Sequence, residues 1–283
     1  EDPVRPGLVY LGTENALYVS FDDGGRWVPL QSNLPHAPVH WLTIQEHFND
    51  LVVATYGRGF WIMDDVTPLQ QLTDEVLDAR AHLFQPRPAY RFRSREAAVS
   101  QPEDPGAGEN PPYGAHLHYW VGEGVGGPLR LSILDQAGEV VAELENVDDG
   151  PGLHRVVWDL EYEPSATPRM RTPVLEHSHV EIGDDGWRPA GETGRVTPLA
   201  PPGHYTVRLK VGDTEMTRAL EVLKDPNSAG TEADIRAQHQ VILQLREEAD
   251  AVVALIDEAG VIRAQLMDLA ERLRGREGMG EVR

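Results

Sequence analysis

The stretch that decides the fold reads LVYLGTENALYVSFDD at Leu8–Asp23 and returns without a gap, 43 residues later, as LVVATYGRGFWIMDDV at Leu51–Val66. Both copies hold two short runs rich in Val, Leu and aromatic residues, separated by turn-forming residues, which is the pattern of paired β-strands. A repeat of about 40–50 residues with several strands is the period of a β-propeller blade. Fewer than two copies cannot close a ring of about four to eight blades. We therefore predict that residues 1–70 form the last one to two blades of a propeller whose other blades lie outside this sequence.

The first copy ends in the motif S-x-D-x-G-x-x-W, the Asp-box, which is formed by Ser20, Asp22, Gly24 and Trp27. We predict a structural role for it. The Ser and Asp side chains bind backbone groups of a tight turn, the glycine supplies an unusual dihedral angle, and the tryptophan packs beneath the turn. In the second copy Asp65 remains, but Thr67 and Gln70 stand where the glycine and the tryptophan would be.

The net charge of the chain argues against some classes of partner. Its 283 residues include 46 acidic and 25 basic ones, which gives a formal net charge of −21. Such an acidic chain repels phosphate backbones and anionic bilayers, so we expect neither a nucleic acid nor a membrane surface as a partner. No apolar run is long enough to span a bilayer. The chain has no cysteine, which excludes disulfides, thiolate zinc sites and cysteine nucleophiles.

The middle of the chain predicts a second β-domain. Residues 71–110 are loosely patterned and punctuated by Pro and Gly, so we predict a connector there. Across 111–224 six or seven short strands alternate with turns, which favours an immunoglobulin-like β-sandwich. Within this region, residues 162–201 are polar and have no strong period, and we predict that they form a long loop inserted in the sandwich.

The segment 225–283 is predicted to be helical, with Thr231 as a cap before acidic first-turn residues. Apolar residues recur every seven positions in two rows, which makes one stripe of four to five heptads. Gly260 leaves open whether the segment is one long helix or a helical hairpin. The stripe either packs on the propeller or sandwich or serves as a dimerisation or docking helix, and its candidate interaction residues are Ile235, Ile242, Leu245, Val252, Ile256 and Leu266.

These motifs resemble a known family. The stretch LVYLGTENALYVSFDDGGRW at Leu8–Trp27, with its second copy, resembles the last blades of bacterial proteins that carry a sortilin-type propeller of Asp-box (BNR) repeats, often labelled glycosyl hydrolase-like. Later motifs look like the Ig-like module and helical tail of that family: Asn110–Pro112, Trp158–Leu160, Pro202–Tyr205 and Asp225–Pro226. The resemblance implies an extracytoplasmic protein, periplasmic or secreted, with further blades upstream.

The residues do not predict a glycosidase centre in this chain. Tyr56 and Arg58 lie on one predicted loop, with Asp64 and Asp65 nearby, and together they are our candidates for a ligand-binding loop at the propeller pore. Two carboxylates that are adjacent in a strand point to opposite faces. They therefore cannot form an acid and nucleophile pair about 5–9 Å apart. We predict no catalytic residue here.

Metal ligands are sparse as well. His177 and His179 would share one face of an extended segment, and His116 and His118 have the same spacing in a predicted strand. Neither pair has a third fixed ligand. We therefore predict no metal site and no cofactor, with His177 and His179 as the weak candidates.

Taken with the resemblance, the sequence predicts a non-catalytic binding or scaffold portion of an extracytoplasmic sortilin-like propeller protein, which binds a protein or peptide through its rims and faces. Its other expected contacts are the upstream blades and, through the helix, a second copy. Two alternatives remain open. The chain is the accessory end of a hydrolase whose active site lies in other blades, or it is a structural subunit of a larger assembly.

Overall fold

A computed structural model describes residues 1–92, 108, 110–125, 127–145, 147–174, 180–190 and 194–274. The prediction of a mainly β protein with a long C-terminal helix is confirmed, and the β-structure includes a sheet curled into half a barrel. The chain divides into two compact units. The first comprises Glu1–Leu160 with Pro202–Ser228, and the second comprises Glu161–Pro201 with Ala229–Arg283.

The first unit begins with two antiparallel sheets of three strands each. In both sheets, strands that follow one another in the chain are hydrogen-bonded neighbours. We call them the first sheet and the second sheet. The first sheet consists of β1 (Val9–Gly12), β2 (Leu17–Ser20) and β3 (Val28–Pro29). The second consists of β4 (Val39–Gln45), β5 (Asp50–Thr55) and β6 (Phe60–Met63). In the alignment of the two repeat copies, β1 therefore corresponds to β5 and β2 corresponds to β6.

The first two sheets share one apolar core. Leu17 of the first sheet clusters with Leu51 and Val53 of the second, and Leu34 and Val66 complete the buried set. Partly buried residues from both sheets pack around this cluster, among them Tyr10, Leu42, Ile44, Trp61 and Met63. Alternation along a strand explains the arrangement, because residues two apart point to the same face. One face of the second sheet is thus covered by the first sheet.

The segment after β6 contains regular structure. It forms the helices α1 (Thr67–Gln71) and α2 (Asp74–Asp78), followed by the strands β7 (Ala81–Leu83) and β8 (Ala89–Arg91). Part of the predicted connector 71–110 therefore consists of a helix and two sheet strands. Thr73 caps α2, since its side chain accepts a hydrogen bond from the Val76 backbone N–H.

The rest of the first unit contains two further sheets. One has the order β11-β10-β15-β16-β8, in which β8 pairs parallel with β16, and the other has the order β12-β9-β7. Their remaining strands are β9 (Ala115–Val121), β10 (Leu129–Leu134), β11 (Val140–Leu144), β12 (Gly152–Trp158), β15 (Gly203–Val211) and β16 (Thr214–Lys224). The rings of Trp158 and Tyr205, one from each sheet, meet edge to face at 5.3 Å between centroids.

The second unit is built on α3 (Glu232–Leu273), which runs for 42 residues. Its backbone is helical through Gly260, so the described residues form one long helix and not a hairpin. A capping box starts it, because Thr231 accepts a hydrogen bond from the Asp234 backbone N–H and the Asp234 carboxylate accepts one from that of Thr231.

The inserted segment packs along α3, a partner that its polar sequence did not predict. It contains the short strands β13 (Arg169–Met170) and β14 (Arg188–Pro189). The backbone N–H of Ala166 donates to Asp250, at 2.6 Å, and that of Arg169 donates to Asp257, at 2.7 Å. Two carboxylates of the helix, seven residues apart on one face, thereby hold the insertion by its backbone.

Candidate functional site

The second sheet presents an apolar face to solvent. Three of its large side chains are mostly exposed: Trp41 at 71%, Phe60 at 79% and Ile62 at 59%. The strand register places Trp41, Ala54 and Phe60 in one row across the sheet and Thr43, Val52 and Ile62 in the next. We call these six residues the apolar sheet face. An exposed cluster of large apolar residues is a candidate interaction surface.

Aromatic rings extend this face toward the end of the strands. His40 stacks on Tyr56 with 5.4 Å between ring centroids, and Tyr56 is itself exposed. Beside them lies a shallow depression of about 230 Å³ whose lining includes Gly12, Val39 and Trp41. The contact between the sheets is tight at this point, because a Cβ atom on Gly12 would lie 2.5 Å from the Cγ1 atom of Val39.

The turn between β5 and β6 carries the first half of the predicted ligand loop. Gly57 and Gly59 have φ angles of +76° and +72°, a region that glycine adopts without strain. Thr55 closes the turn by donating from its backbone and its hydroxyl to the carbonyl of Gly59, and Trp61 Nε1 donates to that of Arg58. Tyr56 and Arg58 therefore sit exposed on a short hairpin loop.

Asp64 and Asp65, the other half of that predicted loop, lie elsewhere. They follow the opposite end of β6, where the backbone N–H of Asp65 donates to the carboxylate of Asp50 at 2.9 Å. Asp65 is buried, while Arg58 is exposed. The structure thus does not bring Asp65 together with Tyr56 and Arg58.

Asp65 instead belongs to a buried ion cluster with Arg87 and His118. Its Oδ2 atom lies 3.4 Å from Nε of Arg87 and 3.7 Å from Nδ1 of His118. Burial lowers the pKa of His118, and the positive charges of Arg155 and Arg87 act in the same direction. The Asp65 carboxylate raises the pKa of His118, but the effect of burial is larger. His118 is therefore neutral near pH 7.

The buried ion cluster is a structural link. Arg87 Nη1 donates to the carbonyl of Phe48, and its guanidinium lies over the Phe48 ring at 5.3 Å. These contacts tie the second sheet to the segment between β7 and β8, and His118 ties both to β9. Sequence reasoning noted Asp65 and His118 separately but missed Arg87. The three residues are far apart in the chain and belong to no shared motif.

The turn that contains Ser20, Asp22 and Gly24 is held by its own side chains. The Ser20 hydroxyl donates to Asp22 at 2.8 Å and accepts from the Gly24 backbone N–H at 2.9 Å. The backbone N–H of Arg26 donates to the Asp22 carboxylate at 2.8 Å, and this bond, with the one from Ser20, lowers the pKa of Asp22. Gly24 has a φ angle of +88° and lies against the ring of Trp27.

A second concave surface, of about 400 Å³, lies on the five-stranded sheet. Its lining includes Arg130, Arg208 and Lys210 together with the carboxylates Glu143 and Glu215. The register places Lys210 opposite both Arg130 and Glu215. Lys210 thus has a cation on one side and a carboxylate on the other, a mixture of charges that is typical of a solvated sheet face.

The six predicted interaction residues lie on two different faces of α3. Ile235 is buried and Ile242 is partly buried, whereas Leu245, Val252 and Leu266 are about half exposed and Ile256 is at the margin. The stripe that the sequence showed as one surface is therefore two adjoining surfaces. One is buried or partly buried and the other faces solvent.

The described residues contain no group of three or more His, Asp or Glu side chains that could hold a metal ion. His116 Nε2 lies 3.0 Å from the carbonyl of Pro112, which occupies one of its ring nitrogens. The predicted candidates His177 and His179 lie outside the described residues. In the part of the chain that is described, no helix is both long enough and apolar enough to cross a membrane.

Comparison with known proteins gives no relative. No protein-family model, no curated protein and no solved structure matches this chain.

Proposed function

We propose that this chain is a non-catalytic binding or scaffold portion of an extracytoplasmic, sortilin-like propeller protein, and that its apolar sheet face binds a further β-sheet. In this proposal the first two sheets are blades with an Asp-box, and the strands β9–β12, β15 and β16 form an Ig-like sandwich. The observation that carries the proposal is the exposure of Trp41, Phe60 and Ile62 side by side on one sheet face.

The chain itself provides the precedent for the occupant. The opposite face of the second sheet, with Leu42, Leu51 and Val53, is covered by the first sheet through Leu17 and Tyr10. Propeller blades stack face to face around a ring, so each blade covers one face of its neighbour. A second β-sheet with an apolar face is therefore the occupant that best fits the apolar sheet face.

The strand edges support the same proposal. Among the described strands, β1 pairs with β2 alone and β6 pairs with β5 alone. Each therefore has an outer edge whose backbone N–H and C=O groups can pair with another strand. A complete blade has four strands, and each of the first two sheets has three.

The placement of the carboxylates supports a non-catalytic role. Asp65 is buried against Arg87 and does not share a surface with Tyr56 and Arg58. A binding surface of apolar and aromatic side chains needs no such group. Protein or peptide partners are the expected ligands of a rim of this kind.

The experiment compares acrylamide quenching of Trp41 in this chain and in the product of the complete reading frame. The contribution of Trp41 is the difference in quenched fluorescence between the native sequence and the Trp41→Phe variant. We expect strong quenching of Trp41 in this chain and protection of at least threefold in the complete product.

The matched control is Trp187→Phe, in the second unit. The quenching of Trp187, measured in the same way, should be equal in the two proteins. Equal quenching of Trp41 in the two proteins would overturn the proposal. So would a complete reading frame that adds no strand-rich sequence.

A further inference from the structure

The exposed surface of α3 has the spacing of a coiled-coil interface. Ten positions follow one another at alternating steps of four and three residues, and nine of them are apolar; we call them the exposed seam. Its members are Val241, Leu245, Glu248, Val252, Leu255, Ala259, Ile262, Leu266, Leu269 and Leu273. Alternation of this kind defines the a and d positions of a heptad repeat, which form a straight stripe along a supercoiled helix.

Most of the large apolar side chains of the exposed seam are exposed to solvent, and Leu273 is partly buried. Leu245 is 49% exposed and Leu255 is 65% exposed, and Val241, Val252, Ile262, Leu266 and Leu269 fall between these values. An isolated exposed leucine is ordinary, but a continuous row of this length is not.

The insertion uses a different face of α3. It is bonded to Asp250 and Asp257, and the ring of His239 lies 3.1 Å from the carbonyl of Leu199. None of these three helix residues belongs to the exposed seam. The second unit therefore packs its insertion on one side of the helix and leaves the seam uncovered.

We propose that the exposed seam binds the seam of a second copy of this chain in an antiparallel coiled coil. In the register that we infer, Ile262 packs on Leu266 of the second copy, Ala259 on its Leu269, and Leu255 on its Leu273. The overlap covers residues 255–273, which is about 28 Å of helix at 1.5 Å per residue. Every seam residue in this overlap is apolar.

Charges beside the seam favour this arrangement. In an antiparallel pair the g positions of the two helices face each other, which sets Glu258 beside Arg272 of the second copy, on both sides of the two-fold axis. The symmetric pair of Arg263 side chains at the centre opposes the arrangement at one position only. The Glu258–Arg272 pairs and the Arg263 pair all lie on the exposed rim of the interface, where water and salt screen their charges.

A parallel pair fits the same residues less well. It would set Glu248, a d position, against Glu248 of the second copy inside the interface, where an unpaired charge is costly. The antiparallel register leaves Glu248 outside the overlap.

The first test is the solution mass of the full chain by light scattering across micromolar concentrations. We expect a dimer of about 63 kDa, twice the chain mass of 31.4 kDa. Ile262→Glu should weaken dimerisation at least 100-fold.

The matched control is Val261→Glu, which places the same charge on the adjacent exposed residue outside the seam. It should leave the dimer intact. Circular dichroism at 222 nm should show the same helix content in all three proteins. A monomeric native chain, or equal weakening by both variants, would overturn the proposal.

The second test determines whether the two helices are antiparallel or parallel by cross-linking introduced cysteines. Because the native chain has no cysteine, only the introduced residue can react. A short bis-maleimide should link Arg263→Cys chains to each other, because e positions face each other in an antiparallel pair. Ala259→Cys chains should not link, because Ala259 faces Leu269 of the second copy. The reverse result would show a parallel pair and overturn the register.

Discussion

The side chain of Asp65 is buried against that of Arg87, with 3.4 Å between the carboxylate Oδ2 and the guanidinium Nε. The pair joins the end of the second sheet to the segment that leads into β8. Breaking a buried ion pair by removing one partner leaves the other charge uncompensated.

We expect Asp65→Asn to destabilise the first unit by about 3 kcal/mol, since Arg87 would lose its counter-charge. Urea denaturation at neutral pH measures the change. The control is Asp64→Asn, the neighbouring carboxyl, which takes part in none of the ion pairs found among the described residues. Equal effects of the two substitutions would contradict a specific role for the Asp65–Arg87 pair.

The buried ion cluster also makes stability depend on pH. Burial lowers the pKa of His118 to about 4, from an ordinary value near 6.5. As the pH falls through this interval the unfolded chain binds a proton that the folded chain resists. The contribution of His118 is therefore fully favourable above about pH 6.5 and is lost progressively down to about pH 4, by about 3 kcal/mol in total.

His118→Gln should remove this part of the pH dependence. The measurement is the free energy of unfolding of both proteins at about pH 7 and about pH 4.5. The native chain should lose more stability between the two than the variant does. Parallel losses would show that His118 takes up a proton as easily in the folded chain as in the unfolded one.

The first two sheets approach each other closely at Gly12. A methyl group there would lie 2.5 Å from Cγ1 and 2.8 Å from Cβ of Val39. We expect Gly12→Ala to destabilise the chain by about 1–3 kcal/mol, the usual range for overpacking. Val39→Ala in the same chain should recover part of the loss, because it removes Cγ1 but not Cβ. A double-mutant cycle without coupling would contradict this contact.

The turn after β2 depends on the backbone of Gly24. Its φ angle of +88° is strained for any residue with a Cβ atom. Gly24→Ala should therefore cost about 1–2 kcal/mol, seen as a lower melting temperature. Gly194→Ala is the comparison, because Gly194 has open space around its Cα and no left-handed φ. A similar melting temperature for both variants would show that the turn tolerates a side chain.

Local patterns in the sequence were sufficient to predict several elements. The repeat at Leu8 and Leu51 predicted the strands β1 and β5, because alternating apolar residues and turn residues act within a few positions. Thr231 marked the start of α3 for the same reason, since its cap involves Asp234 only three residues away. Mainly β structure followed by a long helix was predictable from such signals.

Contacts between distant segments were not predictable in this way. Arg87 and His118 meet Asp65 through tertiary packing, and no periodic pattern connects the three. The insertion binds α3 by backbone groups donating to Asp250 and Asp257, and such bonds leave no apolar signature. Without that partner the sequence could not show which heptad row the helix buries, so Ile242 and Leu245 looked like members of one surface.

The order of segments in the second unit has a consequence for biosynthesis. Ala166 and Asp250 are 84 residues apart, and Arg169 and Asp257 are 88 apart, with β15 and β16 of the other unit between them. The insertion leaves the ribosome first and has no helix to bind until α3 follows. Ribosome-bound chains that stop before α3 should therefore be cut by proteases within the insertion, while strands already emerged resist them.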